Sequence, residues 1–297
     1  MSPNLSSGFL FVDKESGWTS SDTVTWIKNK LGFKPIGHTG TLDKFATGLL
    51  ILPFGACTSF SSWFLGLDKV YEARIHFGRK TDSGDPDGEI LQETKDEDTL
   101  HFLKQNQKAI EQEIFSWTEL TEQIPPLVSA LKWKGKRYAD HYRSGMEVPT
   151  RPRPIKIHSV QILSQSARCL DIKIHVSSGT YIRKLALDLS LALAFPAHLS
   201  ALRRTAIGSW NVELAKPRTE LEKGTGYSWR EILPMKEFSL SIDEAEKVAC
   251  GATISRIAVQ DPEGQLLVSP GGELLAWALP GSGTQAYRYG KVFSQAL

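Results

Sequence analysis

The sequence predicts an α+β protein: a mixed central sheet with helices packed on it, then a smaller β-rich region. Three observations carry this. Segments with period-2 and with helical apolar patterning alternate irregularly over residues 1–235, which suits a mixed sheet rather than a regular βαβ array. The chain has 297 residues, 41% hydrophobic and 23% charged, enough to bury a sizeable core. Over residues 236–297 the texture changes to short apolar runs broken by Gly and Pro, as in "EGQLLVSPGGELLAWALPG", the pattern of a small barrel or sandwich.

The elements follow in order. A strand is expected at Phe9–Val12, then the turn "DKESGW". Next comes a helix capped by Ser20, Ser21 or Asp22, which turns Val24 and Ile27 inward and stops near Gly32. In "GHTGTLDKFATGLL", Gly37, Gly40 and Gly48 bracket Asp43 and let the backbone approach a ligand closely. "VYEARIHFG" alternates as a strand, and the turn "GDPDGE" leads to another at Ile90–Leu91. Leu100, Leu103, Ile110 and Ile114 have helical spacing. "IHSVQILSQ" and "CLDIKIHVSSG" read as a strand pair, and "TYIRKLALDLSLALAF" begins extended and becomes an apolar helix.

Composition narrows the function classes. The N-terminal residues show no basic region followed by a long apolar stretch, and no run reaches the roughly 18 apolar residues of a membrane span, so the cytoplasm is the expected compartment. Cys57, Cys169 and Cys250 are odd in number and far apart, so they suggest neither a disulfide framework nor a zinc site of CxxC spacing. Net charge is only +2, but its distribution is uneven. Residues 82–99 carry eight acids against one lysine, whereas residues 131–158 carry eight Lys or Arg against two acids. In the basic stretch Lys132, Lys134 and Lys136 lie among Trp133, Tyr138 and Tyr142. Cations that neutralise phosphates, mixed with rings that stack, are what an RNA surface needs; a solvated basic loop is the plainer reading of the same stretch.

Asp43 poses a chemical question. Acid–base glycoside hydrolysis uses two carboxylates and metal hydrolysis uses a ligand set, and neither lies near it in sequence. Taken alone, it reads as a turn-capping residue.

Six stretches bear on that question together: "DKESGWTSSDTV", "GHTGTLDKFATGLL", "KVYEARIHFGRKTDSGDPDGEI", "QIPPLVSALKWKGKRY", "SSGTYIRKLALDL" and "AHLSALRRTAIG". In this order they resemble the bacterial tRNA pseudouridine synthase B family, and the closing segment ending "GKVFSQA" resembles its small RNA-binding PUA-like domain. The resemblance implies a pseudouridine synthase fold with a largely antiparallel central sheet. It also implies isomerisation of uridine-55 in the TΨC loop of tRNA, with no cofactor or metal. The implied partner is the T-arm stem-loop of tRNA, with no obligate protein partner and no membrane; a tRNA-folding chaperone activity is a further expectation. One carboxylate then suffices, because the uracil is detached from ribose, turned and rejoined through C5.

Residue roles follow from the same resemblance. Asp43 corresponds to the catalytic aspartate, Arg183 to the arginine placed against it, and Tyr71 to the tyrosine that stacks on the flipped base and has been proposed as a general base. Tyr181 is expected near the target base, Leu202 in the pocket, and His38 in the place of the extruded nucleotide. Lys14, Arg203 and Arg204 are expected to touch phosphate or to support the fold. The chain departs from the family pattern at Glu15 and Lys44, where proline is usual, at Ser59, where many members have an RNA-contacting lysine, and at Val128, often aromatic. Two other functions compete: an RNA chaperone without chemistry, and a glycoside hydrolase or base-excising enzyme that would release free uracil.

Overall fold

A computed structural model describes residues 6–126, 132–138, 141, 144, 146, 148–283 and 285–293. Val128 and Tyr142 lie outside the described residues, as does the side chain of Lys132.

The spine is an eight-stranded sheet. Its order is Ile157–Ser166, Cys169–Val176, Lys69–Phe77, Ala197–Ile207, Thr47–Phe54, Gly8–Lys14 and Lys216–Pro217, with Trp210–Asn211 paired to Ala197–Ile207. Two pairings are parallel, Ala197–Ile207 with Thr47–Phe54 and Gly8–Lys14 with Lys216–Pro217; the others are antiparallel. The expected mixed, largely antiparallel α+β sheet is therefore present. Gly8–Lys14 and Thr47–Phe54 are buried at nearly every position, which is why "GFLFVDK" and "TGLLILPF" read as continuous apolar runs rather than as alternation. Lys69–Phe77 alternates and packs Tyr71, Ala73, Ile75 and Phe77 into one core cluster with Leu185 and Leu189 of the helix Ile182–Ala192.

The helix Ser20–Leu31 starts one residue earlier than expected. Thr19 is its N-cap, and Asp22 returns a hydrogen bond to the Thr19 backbone as the third helical residue of a capping box. Gly32 ends it in the left-handed region at φ 80°. In the helix Asp96–Ser116, Leu103, Ile110 and Ile114 are buried as expected, but Leu100 is 47% exposed. The buried stripe runs through Thr99 and Leu103, and Leu100 sits about 100° round from Thr99.

The C-terminal residues form one four-stranded sheet, Lys236–Ser239, Gln265–Val268, Leu274–Pro280 and Tyr287–Val292, plus a helix Ile242–Ala249. This small sheet fits a PUA-like domain, but it corrects the pattern-based reading of a barrel or sandwich. The helix carries two local signals, the Ser241–Glu244 capping box and an amphipathic pattern that buries Val248 with Ala245 packed beside it, which a β-rich reading of this region passes over. One aromatic cluster joins the two sheets: Phe60 packs with its ring centroid 5.0 Å from that of Trp277 and 6.0 Å from that of Phe293. The small sheet is thus held by a shared core, and removing it would strip cover from Phe60. Among the described residues, no helix is long and apolar enough to cross a membrane.

Candidate active site

Asp43 sits on a loop clamped from three sides. Ser20 at the start of the first helix accepts from the Leu42 N–H at 2.9 Å and donates to the Leu42 carbonyl at 3.3 Å. Lys14 reaches the carbonyls of Glu15, Trp18 and Lys44, at 2.9, 2.6 and 3.4 Å. Arg204 donates to the carbonyls of Leu49 and Gly40 at 2.8 and 3.1 Å. Gly48 has φ 104°, and a Cβ there would meet the Arg204 carbonyl oxygen at 2.2 Å, so this crossing of two strands requires glycine.

The clamp settles two of the sequence expectations. Lys14 is 1% exposed with its ammonium committed to backbone carbonyls, so of its two expected roles it takes the support of the loop and not, as a substrate-binding residue would, contact with phosphate. Burial pushes that ammonium down to about 8, with the nearby Asp43 charge acting in the opposite direction. Arg204, 1% exposed, is likewise internal, while Arg203 forms a paired contact with Asp13 at 3.0 and 2.7 Å. At the departures, the Lys44 carbonyl still accepts from Gly17, a contact a proline would preserve, and Glu15 pairs with Arg218.

Opposite Asp43 stands Arg183, whose side chain is 3% exposed. Its Nη2 lies 3.2 Å from Asp43 Oδ1 and 3.1 Å from Oδ2. Its Nε lies 3.3 Å from Asp85 Oδ2, and its Nη1 donates to the Ser83 carbonyl at 3.2 Å. The guanidinium therefore bridges two carboxylates and a carbonyl, a use that suits its planar fork. Asp85 is fixed in turn by Ser83 Oγ at 2.6 Å and the Asp87 N–H at 3.1 Å. Sequence reading took "GDPDGE" only as a turn and missed Asp85; no local signal separates a turn aspartate from one aimed at an arginine about 100 residues away.

A cavity of about 260 Å³ opens over Asp43. Its lining includes Tyr71, Tyr181, Arg183 and Leu202 from the expected set, together with Lys69 and Leu65, which sequence reading did not single out. Asp43 is its only carboxylate lining residue among those described. The stretch that begins extended and becomes a helix changes over at Tyr181, the extended N-cap of the helix Ile182–Ala192, so Arg183 is already helical and the two side chains do not share an extended segment. Both nevertheless line the cavity, and buried Gln123 holds the Tyr181 backbone by accepting from its N–H at 2.8 Å and donating to its carbonyl at 3.2 Å. His38 is half-buried and outside the cavity lining. Lys134 and Lys136 are exposed on a two-residue hairpin whose turn residues Lys134 and Gly135 both have positive φ, and the Lys134 ammonium sits 4.5 Å from the Trp133 ring centroid.

Burial raises the Asp43 carboxyl above its ordinary value of 3.8; Arg183 opposes this, Asp85 adds to it, and Lys14 opposes it from further off. The carboxylate still opens to the cavity, its side chain 39% exposed. The arrangement offers one carboxylate held on one side by a fixed cation, with aromatic and aliphatic walls for a planar base.

The fold and the chain both have relatives. Residues 28–182 match the family model described as TruB family pseudouridylate synthase, N-terminal domain. The chain is 40% identical over 299 residues to tRNA pseudouridine synthase B of Leptospira interrogans serovar copenhageni, covering 97% of this chain and 94% of that protein. It is 33% identical over 285 residues to tRNA pseudouridine synthase B of Leifsonia xyli, covering 91% and 92%. Among solved structures, the archaeal box H/ACA sRNP Nop10–Cbf5 complex contains a chain with the same fold, at TM-score 0.66 and 21% identity, over 97% of this chain and 86% of that one. With a family model over more than half of its length and close relatives along nearly all of it, the chain belongs to the TruB family of pseudouridylate synthases.

Proposed function

We propose that this protein converts uridine-55 in the TΨC loop of tRNA to pseudouridine in the cytoplasm, with Asp43 as the catalytic group. The observation that carries the reading is the Asp43–Arg183 pair beneath a base-sized cavity walled by Tyr71, Tyr181 and Leu202. A uridine stacked in a loop must be flipped to bring its glycosidic carbon to that carboxylate. His38, beside the same loop, is assigned the place the nucleotide leaves. Tyr71 faces the base, Tyr181 lies near it, and Leu202 packs against its edge. The deciding experiment incubates the purified protein with a T-arm stem-loop and maps pseudouridine. Conversion at the one uridine is expected. Release of free uracil would make it a base-excising enzyme, and RNA binding without isomerisation would leave only the chaperone.

Arg183→Lys keeps the charge but cannot hold Asp43, Asp85 and the Ser83 carbonyl at once. Turnover should fall by at least about a hundredfold, or 2.7 kcal/mol in the barrier, with RNA affinity little changed. A lysine variant that turns over like the parent would remove the pairing argument. Because the Asp85 charge raises the Asp43 carboxyl, Asp85→Asn should move the acid limb of the pH–rate profile to lower pH while also reducing the maximal rate.

Binding is proposed to rest on phosphates met by the 131–158 stretch, which Lys132, Lys134 and Lys136 open, with the C-terminal sheet auxiliary. Alanine at all three lysines should make the dependence of log affinity on log salt shallower by about two to three units. An unchanged slope would place the RNA surface elsewhere.

A further inference from the structure

A second cluster lies on the opposite face of the sheet from Tyr71. Asp68 stands at the entry to the Lys69–Phe77 strand, His175 near the end of the Cys169–Val176 strand, and His158 near the start of the neighbouring Ile157–Ser166 strand. His158 Nε2 is 3.0 Å from Asp68 Oδ2 and His175 Nε2 is 3.8 Å from the same oxygen. One ligand atom from each residue lies within 4.8 Å of the others, and the imidazole centroids are 4.5 Å apart. We propose that Asp68, His158 and His175 bind one divalent transition-metal ion, zinc by the chemistry of their donor set.

Two features of the backbone support the assignment. Ile157 pairs with Val176, but Ser159 rather than His158 pairs with His175, so a β-bulge inserts His158 as the extra residue. Such bulges re-aim one side chain, and here the bulge puts both imidazoles on one side of the hairpin. Asp68 is anchored independently, its carbonyl accepting from the Gly208 N–H at 2.8 Å. Three segments far apart in sequence therefore meet at one point.

The distances suit the metal. Ligands held about 2.0–2.1 Å from a tetrahedral zinc lie roughly 3.3 Å from one another, between the two separations observed. Two imidazoles and one carboxylate are a donor set for zinc or its borderline neighbours, not for the hard, oxygen-seeking magnesium ion. All three side chains are between a quarter and a half exposed, so an ion could enter from solvent and complete its coordination with water. Their position is also informative. Lys69, next to Asp68, and Ser177, two residues after His175, line the cavity over Asp43, so a bound ion would tie two segments that shape its rim to the neighbouring strand that carries His158. The proposal concerns binding and stiffening at this rim, and the isomerisation chemistry does not pass through it.

The test uses the full-length protein after chelator treatment. Titration with zinc against a chromophoric chelator should give one equivalent bound at about micromolar affinity or tighter. Cobalt should give the visible absorption of a low-symmetry tetrahedral or five-coordinate site, and excess zinc should raise the melting temperature while magnesium leaves it unchanged. His158→Gln combined with His175→Gln should lose zinc affinity at least tenfold and abolish the zinc-dependent thermal shift. Cys250→Ser, which removes the exposed thiol, should retain both. Absence of saturable zinc binding, or equal affinity in parent and double variant, would overturn the proposal and leave a surface histidine–aspartate contact. Asp68→Asn, which keeps both imidazoles and alters only the carboxylate, supplies the same comparison if the double variant does not fold.

Discussion

Asp43→Asn should abolish pseudouridine formation, by several powers of ten in turnover, while changing RNA affinity by less than about tenfold, or 1.4 kcal/mol. The prediction is this uneven because Asp43 is the one carboxylate among the described residues that line the cavity; Asp85 lies behind Arg183, facing its other edge. On the proposed role, the Asp43 charge acts only on the reacting nucleotide, so its removal lowers kcat without removing the phosphate contacts that hold the RNA. The same variant should be at least as stable as the parent. Burial and Asp85 raise the Asp43 carboxyl, so folding favours its protonated form. That contribution is full below the unfolded value and is lost as pH rises through the folded one, which leaves the ionised group unfavourable at neutral pH. A melting temperature at pH 7 equal to or above that of the parent, with turnover lost, separates a catalytic group from a structural one. Appreciable product from the purified variant would remove Asp43 from the mechanism.

The division between what the sequence showed and what it did not follows the range of the interactions. Elements stabilised by local chemistry were legible: the Gly32 stop of the first helix, the alternation of Lys69–Phe77, and the Ile157–Ser166 and Cys169–Val176 strand pair. Asp43, Tyr71 and Arg183 could be named because short motifs resemble a known family, and they do line one cavity. What stayed hidden depends on distant partners. Nothing near Lys14 says that its ammonium turns inward to three carbonyls, because a lysine in a turn looks solvated until its neighbours close over it. Asp85 was hidden in the same way, and so was the cluster of Asp68, His158 and His175, separated by 90 and 17 positions. The C-terminal helix was missed for a different reason: its capping box and amphipathic pattern are both local, but a helix of eight residues among short apolar runs broken by Gly and Pro is absorbed into a β-rich reading.

Tyr71 offers the second large effect, and its two roles are separable. Flipping a uridine out of its stack costs a few kcal/mol, and an aromatic face can return about 1–3 of them. The Tyr71 ring is 9% exposed, presented to the cavity by a strand paired on both sides, so it is held ready for such a contact. After the base rejoins through C5, however, the proton at that carbon must also leave. Lys69 lines the same cavity, but its ammonium is committed to the carbonyls of Phe64, Leu65 and Leu67. Arg183 is bound to Asp43 and Asp85. Tyr71 Oη makes no hydrogen bond among the described residues and is the group in the lining proposed to move that proton, its hydroxyl accepting it while handing its own proton on to water. Tyr71→Phe keeps the face and loses the hydroxyl; Tyr71→Leu loses both. Phe should therefore bind RNA within about threefold of the parent, under 1 kcal/mol, yet fail in turnover, whereas Leu should lose affinity as well by about 1–3 kcal/mol. Single-turnover rates and RNA affinities of the two variants decide between the roles: a Phe variant with a near-normal rate would assign Tyr71 to stacking alone and send the search for the proton acceptor to the other polar groups of the rim, Ser177 and Thr180.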